Sequence, residues 1–579
     1  MKNAIISVFD KSGIDRLSNY LVNNNYHIWS SGGTYKHIVS SLDDEKARLV
    51  HKIDTETGFP EILGGRVKTL HPRLYGGILA DRKNIDHVGD MRRHKLKCFD
   101  LVVVNLYPFK DTVSSGCSEE DAIENIDIGG VSLIRAAAKN YKHLSVLTHD
   151  SQYDEFMSGS LLSSTVSYRR NLAAEAFRYI TRYDREIASY FDPSLTYREY
   201  KREHTLKYGL NPSQAMAHVS SIEGGKLPFT IINGNPGYIN MIDMIQSWRL
   251  VQEVTHLTGY VAATSFKHTT PTGLAIGNHI SLDDRKYFNL NNSMNSKVAI
   301  AYMRARDIDP LSSFGDFVAI SGIVDYKTAV AIRPEVTDGI IALGYEPGAL
   351  EILRKKKGGK YIIIIGKDEP PNEGVEYKEY GGSICLVEDT CDSLVTMDSL
   401  EANLCNAKTI SADGKLNMIL ANTLLKYTPS NSVAFAYRNM VLGVGAGQQN
   451  RVDCVRLAGE KYNNWLLRHH LDTVKYRDNL LMETNESGRK KYKKQTVINK
   501  VYDYVRSNDF GDYLTYERYG LTLASDGFFP FPDGVVVASE YGVEYIIQPG
   551  GSIGDEAVIN MAEKHSISMV MTGKRLFFH

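Results

Sequence analysis

The sequence predicts an α/β protein that opens with a parallel sheet covered on both faces. Two observations predict it. Short β-branched runs alternate with helical segments over the first 200 residues, and those runs are apolar at nearly every position. Strands buried on both faces read that way, and strand–helix alternation makes neighbouring strands parallel.

Residues 4–9, 27–29, 49–53, 101–104 and 144–147 are the expected strands, and 13–22, 34–39, 119–124 and 131–139 are the helices between them. Residues 168–190 read as one long helix closing the unit, stopped by Asp192-Pro193. The polar stretch 196–204 (TYREYKREH) reads as an exposed connection, so the expected boundary separates a first domain, 1–200, from a second region, 201–579. That region is too long for one ordinary domain. Stretches 366–374, 483–495 and the Asn-rich 282–295 are expected surface loops.

Composition bounds the function. The chain has 579 residues, 67 Lys+Arg against 68 Asp+Glu, 43% hydrophobic and 23% charged residues. A disordered chain would be poorer in apolar residues and further from neutrality. A non-specific nucleic-acid binder would carry a basic excess, and the basic cluster 489–494 reads better as a solvated loop. The most apolar run, 361–365 (YIIII), is strand length, far short of the roughly 20 residues of a membrane span. Six Cys without a CxxC pair argue against a disulfide framework or a Cys-based zinc site, and for the cytosol. HExxH, GxxxxGK[ST] and the H-x-E/PCxxC set are all missing, which removes zinc hydrolases and nucleoside-triphosphate motors.

Several segments place Gly, cations and hydroxyls at expected strand ends. Ser31-Gly32-Gly33-Thr34 follows a strand and opens a helix, where backbone N–H groups can cradle a phosphate; a plain tight turn fits equally. Residues 66–72 (RVKTLHP) read as an extended segment with Arg66 and Lys68 on one side, beside Thr69, suited to an anion or to a solvated edge strand. Residues 105–109 (NLYPF) follow the strand 101–104 at its C-terminal end, where open α/β sheets take ligands; a core Tyr before a Pro turn competes. Residues 126–130 (IDIGG) lead into a helix ending at Lys139. In the second region, Lys267-His268 follows the apolar run 260–263. Such a pair supplies an oxyanion-stabilising charge and a base, or decorates a surface. Residues 207–212, 312–317, 443–447 (GVGAG) and 525–534 read as tight or glycine-rich turns, and GVGAG does not match a dinucleotide fingerprint.

In order along the chain, RVKTLHP (66–72), NLYPF (105–109), IDIGGVSLIRAAAKN (126–140), SFKHTTPTG (265–273), SSFGDF (312–317), GVGAGQQNR (443–451) and SDGFFPFPDG (525–534) resemble one family. It is the bifunctional purine-biosynthesis family joining 5-aminoimidazole-4-carboxamide ribonucleotide (AICAR) formyltransferase to IMP cyclohydrolase. The resemblance implies a methylglyoxal-synthase-like cyclohydrolase domain followed by a formyltransferase region of two cytidine-deaminase-like α/β units. It implies a homodimer with formyltransferase sites at its interface, 10-formyltetrahydrofolate as co-substrate, FAICAR as intermediate, IMP as product and no metal. The matched catalytic set is Lys267 and His268 for formyl transfer, and Lys68, Tyr107, Asp127 and Lys139 for ring closure. Lys11, Ser31, Gly33, Thr34, Arg66 and Thr69 would hold the cyclohydrolase phosphate. Lys207, Tyr208, Asn240, Phe314, Asp338, Asn431, Arg451, Arg575 and His579 would bind the ribonucleotide, and Asn499, Phe528, Phe529 and Pro530 the folate.

Four departures stand out. Phe9 occupies a common Ser position, Lys207 a usual Arg, Ser213 a common His, and the C-terminus reads RLFFH where a His pair is usual. The alternative they raise is a formyltransferase whose first domain is degenerate or only senses nucleotide.

Overall fold

The computed structural model describes residues 2–159, 165–278, 280, 282–288, 296–369, 374–390, 394–406, 409–485, 489–515 and 518–579. The chain forms two compact units, Met1–Arg198 and Glu199–His579.

In the first unit, β1 (Lys2–Val8), β2 (Tyr26–Ser30), β3 (Val50–Lys52), β4 (Leu101–Asn105) and β5 (Ser145–Leu147) form a sheet in the order β3-β2-β1-β4-β5. Every pairing is parallel. The apolar runs are buried on both faces: Ala4, Ile5, Ile6 and Leu101–Val103 are fully enclosed. Helix Val166–Phe191 closes the unit, burying Leu172, Ala173, Ala176, Ile180 and Tyr183 at helical spacing.

The stretch expected to be a mere connection contains β6 (Tyr200–Thr205), which pairs antiparallel with β7 (His218–Ile222) in a two-stranded ribbon. β6 is largely exposed, so no apolar alternation announced it; backbone pairing holds it. A second ribbon joins β14 (Val375–Tyr380) to β15 (Ile384–Asp389).

The rest of the second unit is built on one eleven-stranded sheet rather than two separate ones. Its strands are β8 (Phe229–Asn233), β9 (Ala262–Lys267), β10 (Thr270–Ile276), β11 (Asp316–Val324), β12 (Thr337–Tyr345), β13 (Ile362–Gly366), β16 (Val433–Tyr437), β17 (Met440–Gly445), β18 (Thr522–Ser525), β19 (Tyr545–Gln548) and β20 (Ser568–Met571), in the order β20-β19-β18-β16-β17-β10-β9-β11-β12-β13-β8. The order contains a repeat. β9 and β10 form a hairpin followed by parallel β11, β12 and β13; β16 and β17 form a hairpin followed by parallel β18, β19 and β20. Helices Tyr238–Thr258 and Ala412–Leu425 precede the hairpins, and Lys297–Asp307 and Arg451–Arg468 follow them. The two expected α/β units are thus fused through the antiparallel β10–β17 pair.

Two expected features change. GVGAG is mostly strand: Gly443 and Gly445 lie in β17, where a Cβ would fall 2.0 Å from the Ala458 carbonyl oxygen and 2.3 Å from that of Cys454. Part of the expected Asn-rich loop is the helix Leu282–Tyr287, whose Tyr287 ring stacks on His469 at 3.7 Å; residues 289–295 lie outside the described ones.

Candidate active sites

In the first unit the strand order reverses at β1, and the crevice beyond the C-terminal ends of β1 and β4 is where such sheets take ligands. Phe9–Lys11 leave β1 there and Asn105–Tyr107 leave β4. Asn105 ties these exits together: its Oδ1 accepts the N–H groups of Phe9 at 2.6 Å and Asp10 at 3.0 Å, and its Nδ2 donates to the Asp10 carbonyl at 2.7 Å. Lys11 Nζ donates to the Phe9 carbonyl at 3.0 Å.

Gly32, at φ 52°, opens helix Gly32–Ser40 directly after Ser31. The Lys68 ammonium and the Glu61 carboxylate both lie against this turn, 3.9 and 3.8 Å from where a Cβ on Gly32 would stand, and Lys68 is 3.0 Å from one on Gly65. A helix N-terminus with a lysine beside it has the donors to hold an anion. Next to it, Asp127 Oδ1 accepts the Gly130 N–H at 2.6 Å. Burial raises its carboxyl above the usual range, while N–H groups of Gly130 and Tyr107 and the Lys68 charge oppose that rise. Thr69 Oγ1 sits at the start of helix Gly129–Lys139, 2.9 Å from a Cβ on Gly129.

Lys68, Thr69, Tyr107, Asp127 and the Ser31–Gly33 turn are therefore brought together, and three expectations are corrected. Segment 66–72 is not extended: Arg66 has helical angles (φ −64°, ψ −25°) and pairs with Glu124, while Lys68 faces Glu61 at 3.9 Å. Thr34 is buried and its hydroxyl is spent on the Val8 carbonyl at 2.9 Å, leaving only its backbone for a ligand. Lys139 is the last residue of its eleven-residue helix, about 15 Å from the Asp127 end. It lines a separate pocket with Leu79, Arg135 and Phe177.

In the second unit the strand directions place the ends of β9, β17 and β18 and the starts of β11, β12 and β16 along one sheet edge. Lys267 ends β9, and its Nζ donates to the Phe314 carbonyl at 2.5 Å. His268 and Thr269 turn the hairpin with φ 52° and 62°. Asp243 Oδ1, from helix Tyr238–Thr258, accepts the Thr269 N–H at 2.7 Å. Asn240 on that helix donates to Asp338 at 3.4 Å, and Asp338 also pairs with Lys357 at 2.5 Å. Lys207 and Tyr208 abut the helix start: the Lys207 N–H donates to the Pro236 carbonyl at 3.1 Å, the Tyr238 N–H to that of Tyr208 at 3.2 Å. Ser213 is exposed nearby.

A second cluster lies beside β16 and β18. Asn431 Nδ2 donates to the Gln448 carbonyl at 3.0 Å and its Oδ1 accepts from Arg451 at 3.0 Å. Arg451 pairs with fully buried Asp526, which also takes the N–H and hydroxyl of Ser432, both at 3.0 Å. The C-terminal segment closes on this cluster: the Leu576 N–H donates to the Asp526 carbonyl at 2.9 Å, and Arg575 covers the Phe577 ring, which lies 6.0 Å from that of His579. Of the folate candidates, Phe528 and Pro530 are exposed, but Phe529 is wholly buried, its N–H held by Gln548. Phe529 is a core residue. Asn499 stands on the exposed side of helix Lys494–Ser507, bonded to Gln495.

Sequence reasoning missed Asp243 and Asp526. Asp243 follows Asn240 by three residues, one helical face, and that spacing was the available signal. Among the described residues no group of three His, Cys, Asp or Glu could hold a metal ion, and no helix is long and apolar enough to cross a membrane.

A glycine turn beside Lys68 at a sheet reversal in one unit and a Lys-His hairpin in another are the parts of a two-centre α/β enzyme. Residues 137–461 match the AICARFT/IMPCHase bienzyme family, and residues 13–132 match an MGS-like domain. Proteins named bifunctional purine biosynthesis protein PurH, from Prochlorococcus marinus subsp. pastoris and from Prochlorococcus marinus strain AS9601, are 36% and 35% identical, each over 100% of this chain and 99% of its own. The chain belongs to the AICARFT/IMPCHase bienzyme family and is a bifunctional enzyme of purine biosynthesis. The full-length match favours both activities over the formyltransferase-only alternative.

Proposed function

We propose that the first unit closes the purine ring and the second transfers the formyl group. The observation that carries this division is the placement of Lys267 and His268 together at the end of β9, in a different unit from the Lys68–Asp127 nest.

In formyl transfer the 5-amino group of AICAR attacks the formyl carbon of 10-formyltetrahydrofolate. That amine is conjugated to the carboxamide, so it reacts only as its proton leaves. His268 takes the proton. Lys267 stabilises the oxyanion and protonates the folate nitrogen as its bond to the formyl carbon breaks, giving FAICAR and tetrahydrofolate. Asn431 orients the carboxamide, Arg451 holds Asn431, Arg575 takes the phosphate, and exposed Phe528 offers a face to the folate ring.

In ring closure the carboxamide nitrogen of FAICAR attacks its own formyl carbon. Lys68 steadies the resulting alkoxide, Asp127 carries protons, and loss of water gives IMP. Ser31, Gly33, Thr69 and Lys11 hold the phosphate. Neither step calls for a metal.

Three strand spacings separate the Lys267 and Asn431 clusters, about 14 Å. That separation favours a homodimer in which the Lys267 cluster of one protomer faces the Asn431 cluster of its partner, and we place the enzyme in the cytosol because its six Cys form no CxxC pair.

Lys68→Met and Lys267→Met test the division with AICAR plus 10-formyltetrahydrofolate, and separately with synthetic FAICAR. The first variant should accumulate FAICAR. The second should make no FAICAR yet convert supplied FAICAR to IMP at the parent rate. Loss of both activities in either folded variant would overturn the two-site assignment.

A further inference from the structure

The two halves of the second unit carry the same turn, held in the same way except for one charge. The β9–β10 hairpin turns through His268 and Thr269 at φ 52° and 62°, the β16–β17 hairpin through Arg438 and Asn439 at 52° and 59°. In each half the N–H of the second turn residue goes to the sixth residue of the preceding helix. Thr269 donates to Asp243 Oδ1 at 2.7 Å, and Asn439 donates to Asn417 Oδ1 at 2.9 Å. A neutral amide therefore suffices to pin this turn, while Asn417 also donates to the Gly520 carbonyl at 2.8 Å.

The first half instead keeps a carboxylate there, only 6% exposed. Its cost is visible: burial, with help from Asp338, pushes the Asp243 carboxyl up to about 6, and the His268 charge pulls the other way. The charged groups on the packed elements are Lys267 and His268 from the hairpin, Asp338 from β12 paired with Lys357, Asp316 from β11 beside Arg306, and the Glu253–Lys426 pair toward helix Ala412–Leu425.

We infer that Asp243 is a positioning residue whose negative charge, beyond its hydrogen bond, serves His268: it fixes the turn and stabilises the imidazolium formed when His268 takes the amine proton. This rests on His268 being the base of formyl transfer. The proton moves from the substrate amine to the imidazole, Asp243 stays ionised throughout, and no further reactant is needed.

The test is Asp243→Asn in the full chain, which installs the residue type used by the other half. Formyl-transfer kcat is followed from pH 5 to 9 beside the parent, with FAICAR cyclisation and Tm as controls. Cyclisation should hold, and Tm should not fall, since an amide avoids the cost of the buried charge. The parent-to-variant kcat ratio should be about tenfold at pH 8, part of the roughly 10²–10⁴-fold that a positioned base contributes. It should fall toward one near pH 5, where the parent carboxyl is itself protonated. A ratio of one throughout, a pH-independent ratio, or a variant that fails to fold would each overturn the inference, since each denies the charge a role separate from structure. His268→Asn serves as the separate check. Persistent formyl transfer in that variant would sink the base assignment, and the inference with it.

Discussion

The Phe9 ring meets the Tyr107 ring edge-on, with centroids 5.6 Å apart and planes at 85°. Phe9 is half exposed and sits at the end of β1, beside the crevice that Lys68 and Asp127 enter. A hydroxyl at this position would donate to a bound phosphate; a phenyl ring cannot. Phe9→Ser should therefore tighten IMP binding to the first unit about tenfold, as a hydrogen bond to a charged group does. Formyl transfer should not change. Calorimetric titration with IMP reads the effect, and an unchanged affinity would show that the missing hydroxyl is immaterial.

Asp127→Asn should abolish ring closure without destabilising the protein near pH 8. Burial raises the native Asp127 carboxyl above its value of 3.8 in an exposed setting. For an acid raised on folding, the native state binds more protons than the unfolded state between the two values. Stability therefore falls as pH climbs through that window, and the loss persists above it. An amide carries no such cost, and its oxygen can still accept the Gly130 N–H. Denaturant midpoints at pH 4 and pH 8 should show the variant gaining on the parent at the higher pH. A variant that loses ground there would mean the charge is compensated in the native state.

Local rules made much of the first site legible. A strand followed by Ser-Gly-Gly-Thr specifies a turn and a helix start, and NLYPF after an apolar strand marks a C-terminal strand end; both stand where expected. What failed depended on distance. Lys139 sits in a helix that begins at the site, but eleven residues of rise carry it away. Asp526 is separated from Arg451 by 75 positions, and Asp316 from Ser265 by 51, so only tertiary packing brings either couple together. Phe529 and Phe528 are adjacent in sequence with opposite exposures, decided by which one faces the core beneath β19. The repeat in the second unit lies in its strand order, and the matched turns read differently as His-Thr and Arg-Asn.

Gly443→Ala should destabilise the second unit by about 3 kcal/mol, the upper part of the ordinary range for overpacking. The obstruction is backbone: the added Cβ would lie 2.0 Å from the Ala458 carbonyl oxygen, so β17 and helix Arg451–Arg468 would have to separate. Gly447, with nothing within 4 Å but a φ of 67°, provides the contrast. Gly447→Ala should cost about 1 kcal/mol from backbone strain alone. Urea midpoints for the two variants read the difference, and equal losses would contradict the close approach.

Arg451 and Asp526 form an ion pair with side chains 9% and 0% exposed, so each compensates a charge that water cannot reach. Removing one partner of such a pair costs about 3–5 kcal/mol because the other charge is stranded. Arg451→Met should lose that much, although Ser432 still donates twice to Asp526. Asp526→Asn should lose less, since its amide oxygen can keep one Ser432 bond and the arginine retains the Ser432 carbonyl at 3.2 Å and Asn431. The double variant should be more stable than the sum of the single losses by about 2 kcal/mol, within the range for coupled neighbours. Arg451→Met should also free the Asn431 carboxamide to rotate, raising the KM for AICAR while supplied FAICAR still cyclises at the parent rate. Strictly additive losses in denaturant unfolding would show that the two charges do not depend on each other. An unchanged KM would show that Asn431 is held without the arginine.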